Sequence, residues 1–372
     1  MKKIVTLTFC RSINYGALLQ TYALRKHLQS CGYDCSVINY QNPKLKYAQI
    51  SGLKKIRSIV WNNTLSGFFE SRKRKIRTEN FRENHLNLGQ IYSSLDSLKT
   101  LNKSADVFIV GSDQVWNPQI VADDNAYFLS FAEDGKKRIS YAASFGLYVV
   151  DKKYLDDNSK YLKKFNAVSV REKSSAEILK QIDVEAETVA DPVFLLNRNE
   201  WIDNLSLNAD TDNIKAGSKY VLCYVMPCGS ELAEMIYSAA EKIASEKGLK
   251  IITLGKKNYA RPCGDEILDG DAGPVEFLQY ILNAEYVVTN SFHGTALSVV
   301  FGKNFYTLLK HGVQRNCRME ELLSPLSLDE RIVYVGDDFK FSDEDIDYSG
   351  VQDKLTEIIG KSHGFLIEAV EK

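Results

Sequence analysis

Histidine and paired cysteine are scarce in this chain. Five histidines and seven cysteines are spread over 372 residues. Two sets of cysteines lie close together, Cys31/Cys35 and Cys223/Cys228, but neither has a second half at zinc-like spacing. Cys10, Cys263 and Cys317 stand apart. No resident metal is expected, and the thiols read as reduced cytosolic residues, mostly used for packing. Net charge is nearly absent. The 47 basic residues are matched by 48 acidic ones, leaving −1, which argues against a nucleic-acid-binding protein. No apolar run is long enough to span a bilayer. The opening MKKIVTLTF is too short an apolar run for a signal peptide and reads as a first strand. There is no internal repeat and no low-complexity tract. The dinucleotide fingerprint Gly-x-Gly-x-x-Gly is missing too, so no nucleotide cofactor is expected.

What is present is an alternation of strands and helices. Residues 4–9 are strand-like, a turn at Asn14-Tyr15-Gly16 follows, and a helix is predicted from about Ala17 to Ser30. Ala17, Leu24, Leu28 and Cys31 share one face at helical spacing. Residues 35–40 resume as a strand, and strand–helix–strand implies a parallel sheet. The pattern returns at 107–110, 138–142 and 167–170, with a helix from Lys173. Residues 197–218, rich in Asn, Asp, Lys, Gly and Ser, are the candidate linker. A second α/β unit starts at Tyr220, and a helix near 351–360 with a polar tail closes the chain. The expected fold is α/β, two doubly wound Rossmann-like domains facing a cleft. Residues 1–200 form the first domain, with a basic insertion at about 44–85; 217–350 form the second; 351–372 are a C-terminal helix and tail.

Residues 286–302, YVVTNSFHGTALSVVFG, carry the most information. Four β-branched or aromatic residues suit a buried strand. Asn290 and Ser291 can accept from the first unpaired helix N–H groups. Gly294 permits close approach of backbone or ligand, and Gly302 suits the helix end. His293 stands where the helix begins, at the carboxyl end of a strand, where open α/β sheets bind ligands and helix N-termini attract anions. The plain alternative is a histidine that only packs the turn; in this setting function is favoured.

The insertion is the one strongly charged region. From Lys44 to Arg82 there are eleven basic and two acidic residues, a local +9 in a chain of −1, so the rest carries −10. Trp61, Phe68 and Phe69 lie among these charges. Two readings stand side by side: contact with an anionic membrane surface and an ordinary solvated helical insertion.

Several segments together resemble the polysaccharide pyruvyltransferase family: 14–24 (NYGALLQTYAL), 110–117 (VGSDQVWN), 140–146 (SYAASFG), 169–172 (SVRE), 190–192 (ADP), 289–295 (TNSFHGT) and, more weakly, 316–323 (NCRMEELL). The resemblance runs in order from about residue 4 to about 333. It is most specific at 111–116 and 291–294 and weakest over the insertion. It implies a fold similar to glycosyltransferases of the B type. It also implies transfer of a pyruvyl group from phosphoenolpyruvate to a saccharide, usually as a cyclic ketal, with a lipid-linked capsule, exopolysaccharide or cell-wall intermediate as acceptor. Phosphoenolpyruvate is then the donor substrate and no cofactor is implied. The expected location is cytoplasmic, peripheral to the inner membrane face if the insertion binds lipid.

Phosphoenolpyruvate presents a carboxylate and a phosphate, which call for arginine forks and oriented N–H donors. Arg171, where a strand gives way to a helix, and Arg318 are the candidates, with Asn290, Ser291 and Gly294 completing the donor site. The plain reading of Arg171 is a surface arginine paired with Glu172, and that of Arg318 is a helix N-terminal residue facing solvent. Ketal formation needs a proton at the methylene carbon, and His293 is the candidate to supply it, with His311 in reserve. Arg171 and His293 are the expected catalytic pair. Asn14, Tyr15, Gly16, Ser112, Asp113, Gln114 and Trp116 are the expected acceptor-binding set. For Asp113 and Trp116 a turn cap and core packing compete closely with that role. Asp191-Pro192 is expected to shape the interdomain wall. Two other function classes remain open, a nucleotide-sugar-dependent glycosyltransferase of the same fold and a non-catalytic saccharide-binding assembly protein.

Overall fold

The computed structural model describes residues 1–41, 65–208, 219–255, 264–268 and 271–372. The chain divides into two compact units: Met1–Trp61, Arg82–Leu196 and Leu355–Lys372 form the first, and Asn62–Phe81 and Asn197–Lys354 the second. The boundaries differ from those read in the sequence at three places, the first being the division at Leu196/Asn197 where residues 200 and 217 had been expected. The helix Leu65–Phe81, at the heart of the basic insertion, counts with the second unit. The C-terminal helix runs unbroken over Tyr348–Glu371, and from Leu355 it counts with the first unit.

The first unit is built on six parallel strands: β1 (Lys3–Leu7), β2 (Asp34–Val37), β3 (Val107–Val110), β4 (Lys137–Ala143), β5 (Ala167–Val170) and β6 (Glu187–Thr188). Their order across the sheet is β2-β1-β3-β4-β5-β6. β3 is buried along its whole length, as a continuous apolar run in a sheet covered on both faces should be. The helix Tyr15–Ser30, capped by Asn14, buries Leu24 and Leu28 on one face of the sheet. Leu366, Ala369 and Val370 of the C-terminal helix join them over Ile4, Val107 and Ile139. The expected polar tail is therefore core. Its buried residues recur at helical spacing beneath a mostly charged surface, which lowers its mean hydropathy without removing its apolar stripe.

The second unit repeats the plan with β7 (Tyr220–Val225), β8 (Lys250–Gly255), β9 (Glu266–Leu268), β10 (Tyr286–Thr289), β11 (Asn304–Leu309) and β12 (Ile332–Tyr334). All neighbours are parallel and the order is β9-β8-β7-β10-β11-β12, the arrangement of a Rossmann sheet. The expected linker is partly helical. Arg198–Leu205 forms a helix with an Asn197/Glu200 capping box and a fully buried Trp201, while 209–218 lie outside the described residues. Among the described residues no helix is long and apolar enough to cross a membrane.

Candidate active site

In each sheet the direction of winding reverses once. In open α/β sheets such reversals are where ligands bind, at the carboxyl ends of the strands. In the second unit the reversal lies between β7 and β10, and the loop leaving β10 is the His293 segment.

Local chemistry fixes that segment. Thr289 ends β10 and its hydroxyl donates to the Tyr224 carbonyl at 2.7 Å while accepting from the Ser291 N–H at 3.0 Å. Ser291 caps the helix Phe292–Val300, its Oγ accepting from Gly294 N at 3.3 Å. The Thr295 hydroxyl donates to the Ser291 carbonyl at 3.0 Å and lies 2.7 Å from the Thr307 hydroxyl of β11. Asn290 reaches the other way. Its Oδ1 accepts from Met226 N at 2.7 Å and its Nδ2 donates to Met226 O at 3.2 Å, tying β10 to the loop after β7. A side chain at Gly294 would stand 2.9 Å from Thr289 Oγ1 and 3.1 Å from Tyr224 Cδ1. The glycine is thus required for helix–strand contact.

His293 is the second residue of this helix and is 7% exposed, its ring edge-on to Phe292 at 5.1 Å between centroids. Its neighbours from Thr289 to Ala296 are all neutral. Arg318 belongs to the same unit, on the helix Cys317–Leu323 that packs against the His293 helix. It is half-buried and its Nε donates to the Arg315 carbonyl at 3.3 Å. His311, the reserve candidate, stacks on Tyr334 at 4.3 Å, with Asp337 Oδ1 3.7 Å from its Nε2, and its side chain is 65% exposed.

In the first unit the reversal lies between β1 and β3, and the expected acceptor residues gather at that end of the sheet. Thr8 Oγ1 donates to Ser112 O at 3.0 Å, Gln20 Nε2 donates to Thr8 Oγ1 at 2.9 Å, and Ser112 N donates to Gln20 Oε1 at 3.2 Å. The turn after β3 is cramped: Gly111 has φ +116°, and any side chain there would run into the Tyr141 carbonyl. Asp113 is left-handed at φ +72°, and its Oδ1 accepts from Gln114 N at 2.8 Å. It is the only half-exposed residue of the 111–117 turn; the other six are buried.

Arg171 follows β5 and its side chain is 3% exposed. Nε donates to Glu172 Oε1 at 2.9 Å and Nη1 to Asp191 Oδ2 at 2.9 Å. Ser112 Oγ also donates to Asp191 Oδ2, at 3.0 Å. Ser144 and Ser175 donate to the two oxygens of Glu172 at 2.9 and 3.1 Å. Burial opposes the charge on Arg171, but the Glu172 and Asp191 carboxylates outweigh burial and raise its pKa above the usual arginine value.

The geometry corrects several sequence-based expectations. Arg171 was assigned to the anionic donor, yet one guanidinium faces two carboxylates, so its surroundings are negative and its fork is engaged. Trp116 was to stack on a sugar, but it is 0% exposed, stacked on Phe128 at 6.1 Å, with Nε1 donating to the Tyr127 carbonyl at 3.0 Å. Asn290 spends both ends of its amide on Met226. Asn14 caps its helix by accepting from Ala17 N at 3.3 Å, and Tyr15 and Gly16 are buried in the first turn. Gln114 packs on Gly146, and its Oε1 accepts from Asn117 Nδ2 at 2.8 Å. Asp191, expected at an interdomain wall, is 2% exposed inside the first unit, where its Oδ1 also accepts from Val193 N at 3.1 Å. Sequence reasoning missed the serines of this network, Ser144 and Ser175. The former lies in the 140–146 segment, whose spacing after a strand was the available signal.

Comparison with known proteins agrees with this architecture. The family model for polysaccharide pyruvyl transferase matches residues 14–309. No curated protein matches the chain. Among solved structures, the UDP-GlcNAc 2-epimerase of Methanocaldococcus jannaschii superposes with a TM-score of 0.53 at 13% identity, over 97% of this chain and 92% of that one. The UDP-N-acetylglucosamine 2-epimerase of Rickettsia bellii gives 0.51 at 10% identity, over 100% and 96%. That of Neisseria meningitidis gives 0.50 at 12% identity, over 98% and 93%. At these identities the likeness establishes the fold, two Rossmann-like domains of the glycosyltransferase B type.

Proposed function

The chain belongs to the polysaccharide pyruvyl transferase family, and from that premise we propose that it moves the pyruvyl group of phosphoenolpyruvate onto two hydroxyls of a saccharide, forming a cyclic ketal and releasing phosphate. The observation that carries this reading is His293 at the switch point of the second sheet, on a helix end pinned from three sides. The imidazolium gives a proton to the methylene carbon of the donor, and C2 becomes electron-poor. A first sugar hydroxyl adds to C2, phosphate leaves, and a second hydroxyl closes the ring. The imidazole takes back one hydroxyl proton, so it returns to its starting state, and the other hydroxyl proton leaves on the phosphate. Arg318, in the same unit as His293 and on a helix that packs against the His293 helix, is the arginine assigned to the donor. Arg171 acts as a positioning residue that holds the turn after β3, and Asp113 is the member of that turn placed to meet an acceptor hydroxyl.

The test is incubation with phosphoenolpyruvate and a panel of lipid-linked and water-soluble saccharides. The expected result is phosphate release matched by a product heavier by pyruvate less water. Consumption of a nucleotide sugar without such a product would instead favour a glycosyltransferase.

The acceptor we propose is lipid-linked, met at an anionic membrane face by the basic region. The described part of that region supports a reduced version of this idea. Lys73 pairs with Asp271 at 3.3 Å and Arg77 with Glu276 at 3.3 Å, so these two hold the second unit together. Arg72 and Lys75 are exposed and remain for a surface. Residues 42–64 lie outside the described residues. Salt-sensitive sedimentation with anionic vesicles, reduced in Arg72→Gln/Lys75→Gln, is the expected outcome; equal sedimentation would remove the membrane from the reading.

A further inference from the structure

Three ligand-type side chains from two helices far apart in sequence meet on the first unit. His27 lies in the last turn of the helix Tyr15–Ser30 and Cys31 is its C-cap residue. Four residues apart, they share one side of the helix end. His363 comes from the C-terminal helix, 336 positions after His27. His27 Nε2 is 2.9 Å from His363 Nδ1, Cys31 Sγ is 3.9 Å from His27 Nε2, and the three ligand atoms all lie within 4.8 Å of one another. The two imidazoles stand edge to face, 89° between planes and 5.1 Å between centroids.

We propose that His27, Cys31 and His363 bind a zinc-class divalent ion, which clamps the C-terminal helix to the first helix of the unit. With zinc bonds of about 2.0–2.1 Å to nitrogen and about 2.3 Å to sulfur, tetrahedral ligands stand about 3.3 Å apart for N···N and about 3.6 Å for N···S. The two spacings observed differ from these by a few tenths of an ångström, within reach of small side-chain rotations. One thiolate with two imidazoles suits zinc and its neighbours; magnesium and calcium prefer oxygen. On binding, the thiol proton leaves to solvent, the proton between the two imidazoles passes by way of solvent to the ring nitrogen facing away from the ion so that both rings stay neutral, and three protein–metal bonds replace one hydrogen bond. His27 and Cys31 are half-buried and His363 is exposed, so an ion can arrive from solvent and keep a water as its fourth ligand.

The location gives the ion a structural role. The helix Tyr15–Ser30 ends just before β2 starts, so the cluster lies at the amino edge of the first sheet, opposite the edge that carries Asn14 and the turn after β3. The helix it would clamp covers Ile4 and Val107 with Leu366, Ala369 and Val370. In the sequence these two histidines are 336 positions apart, and only the fold brings them together. The inference is independent of the proposed reaction.

The test uses the untagged full chain after treatment with chelator. Titration with Co2+ should reach one equivalent with a near-ultraviolet thiolate-to-cobalt band and the visible bands of a tetrahedral ion, and Zn2+ should displace it. Cys31→Ser should lose the charge-transfer band. His363→Gln, a change on an exposed position that leaves the core untouched, should weaken binding by at least about tenfold. Zn2+ should raise the thermal midpoint of the parent chain and leave that of His363→Gln unmoved. Absence of the thiolate band in the parent chain, or binding and midpoint unchanged by both substitutions, would overturn the proposal.

Discussion

The two strand–helix junctions that attracted attention in the sequence differ in how their charge is handled. After β5, Arg171 meets Glu172 and Asp191, with three serines completing the set, and the charges are spent on each other. After β10, the junction is made of neutral caps, Thr289, Asn290 and Ser291, around one buried imidazole. Both junctions are polar, buried and at the carboxyl edge of a parallel sheet. A guanidinium that faces two carboxylates is suited to holding structure, whereas an imidazole at a helix start between neutral caps is suited to the proton transfer proposed for His293. The difference lies in the partners, which makes it testable by removing them one at a time.

The largest effect is expected at the neutral junction. His293→Gln keeps size and hydrogen bonding but cannot cycle a proton at neutral pH. A general acid–base group contributes about 10²–10⁴-fold, so the rate of phosphate release should fall by that factor while the unfolding curve in urea stays in place. A near-parental rate would remove the proton-transfer role. The compensated junction should respond in the opposite sense. Arg171→Ala leaves Glu172 and Asp191 buried without their cation, and breaking a buried pair in this way costs about 3–5 kcal/mol. Urea unfolding should report that loss, and calorimetry on the folded protein should find phosphoenolpyruvate affinity unchanged. Lost donor affinity at full stability would return Arg171 to the donor site.

The neutral junction was the more legible of the two for a physical reason. A β-branched run, an N-cap serine and a glycine are local signals, and residues 286–302 carry all of them within one strand and one helix. The alternation of strands and helices was legible on the same grounds. The compensated network was not, because Arg171 and Asp191 are 20 residues apart and Ser112 is 79 from Asp191; only the sheet brings them together. The plain reading put Arg171 on the surface beside Glu172; the pairing is present, but the side chain is 3% exposed. Trp116 shows the other limit: an aromatic in a polar turn motif has the same sequence signature whether it faces a sugar or the core. The C-terminal helix was legible only to about residue 360, because its later apolar positions, Leu366 and Val370, are diluted by charged residues on the solvent side.

A smaller effect tests how rigidly the neutral junction is built. Gly294→Ala would set a methyl 2.9 Å from Thr289 Oγ1 and 3.1 Å from Tyr224 Cδ1. Overpacking of this kind costs about 1–3 kcal/mol. Because the clash falls on the first turn of the helix, it should also displace His293. The expected result is a modest loss in urea stability with a proportionally larger loss of rate. A stability loss with an unchanged rate would show that the imidazole does not depend on the placement of its helix, and would weaken the contrast between the junctions.

The finest probe is a pair of serines in the compensated network. Ser144 Oγ donates to Glu172 Oε1, an oxygen that also receives Arg171 Nε, so its loss leaves that oxygen satisfied. Ser175 Oγ donates to Glu172 Oε2 and accepts from Phe145 N at 3.3 Å, so its loss strips a donor from the carboxylate and orphans a backbone N–H. An ordinary buried hydrogen bond contributes about 0.5–1.5 kcal/mol net, and an unsatisfied buried group costs about 1–3 kcal/mol. Ser144→Ala should therefore fall near the lower figure and Ser175→Ala near the higher. In the Arg171→Ala background the order should compress, because Oε1 then loses its second donor and Ser144 becomes as necessary as Ser175. A double-mutant cycle by urea unfolding measures that coupling. Additive losses in the cycle would mean that Arg171, Glu172 and the serines act separately, and the first-unit junction would then be a set of individual contacts with no shared charge balance.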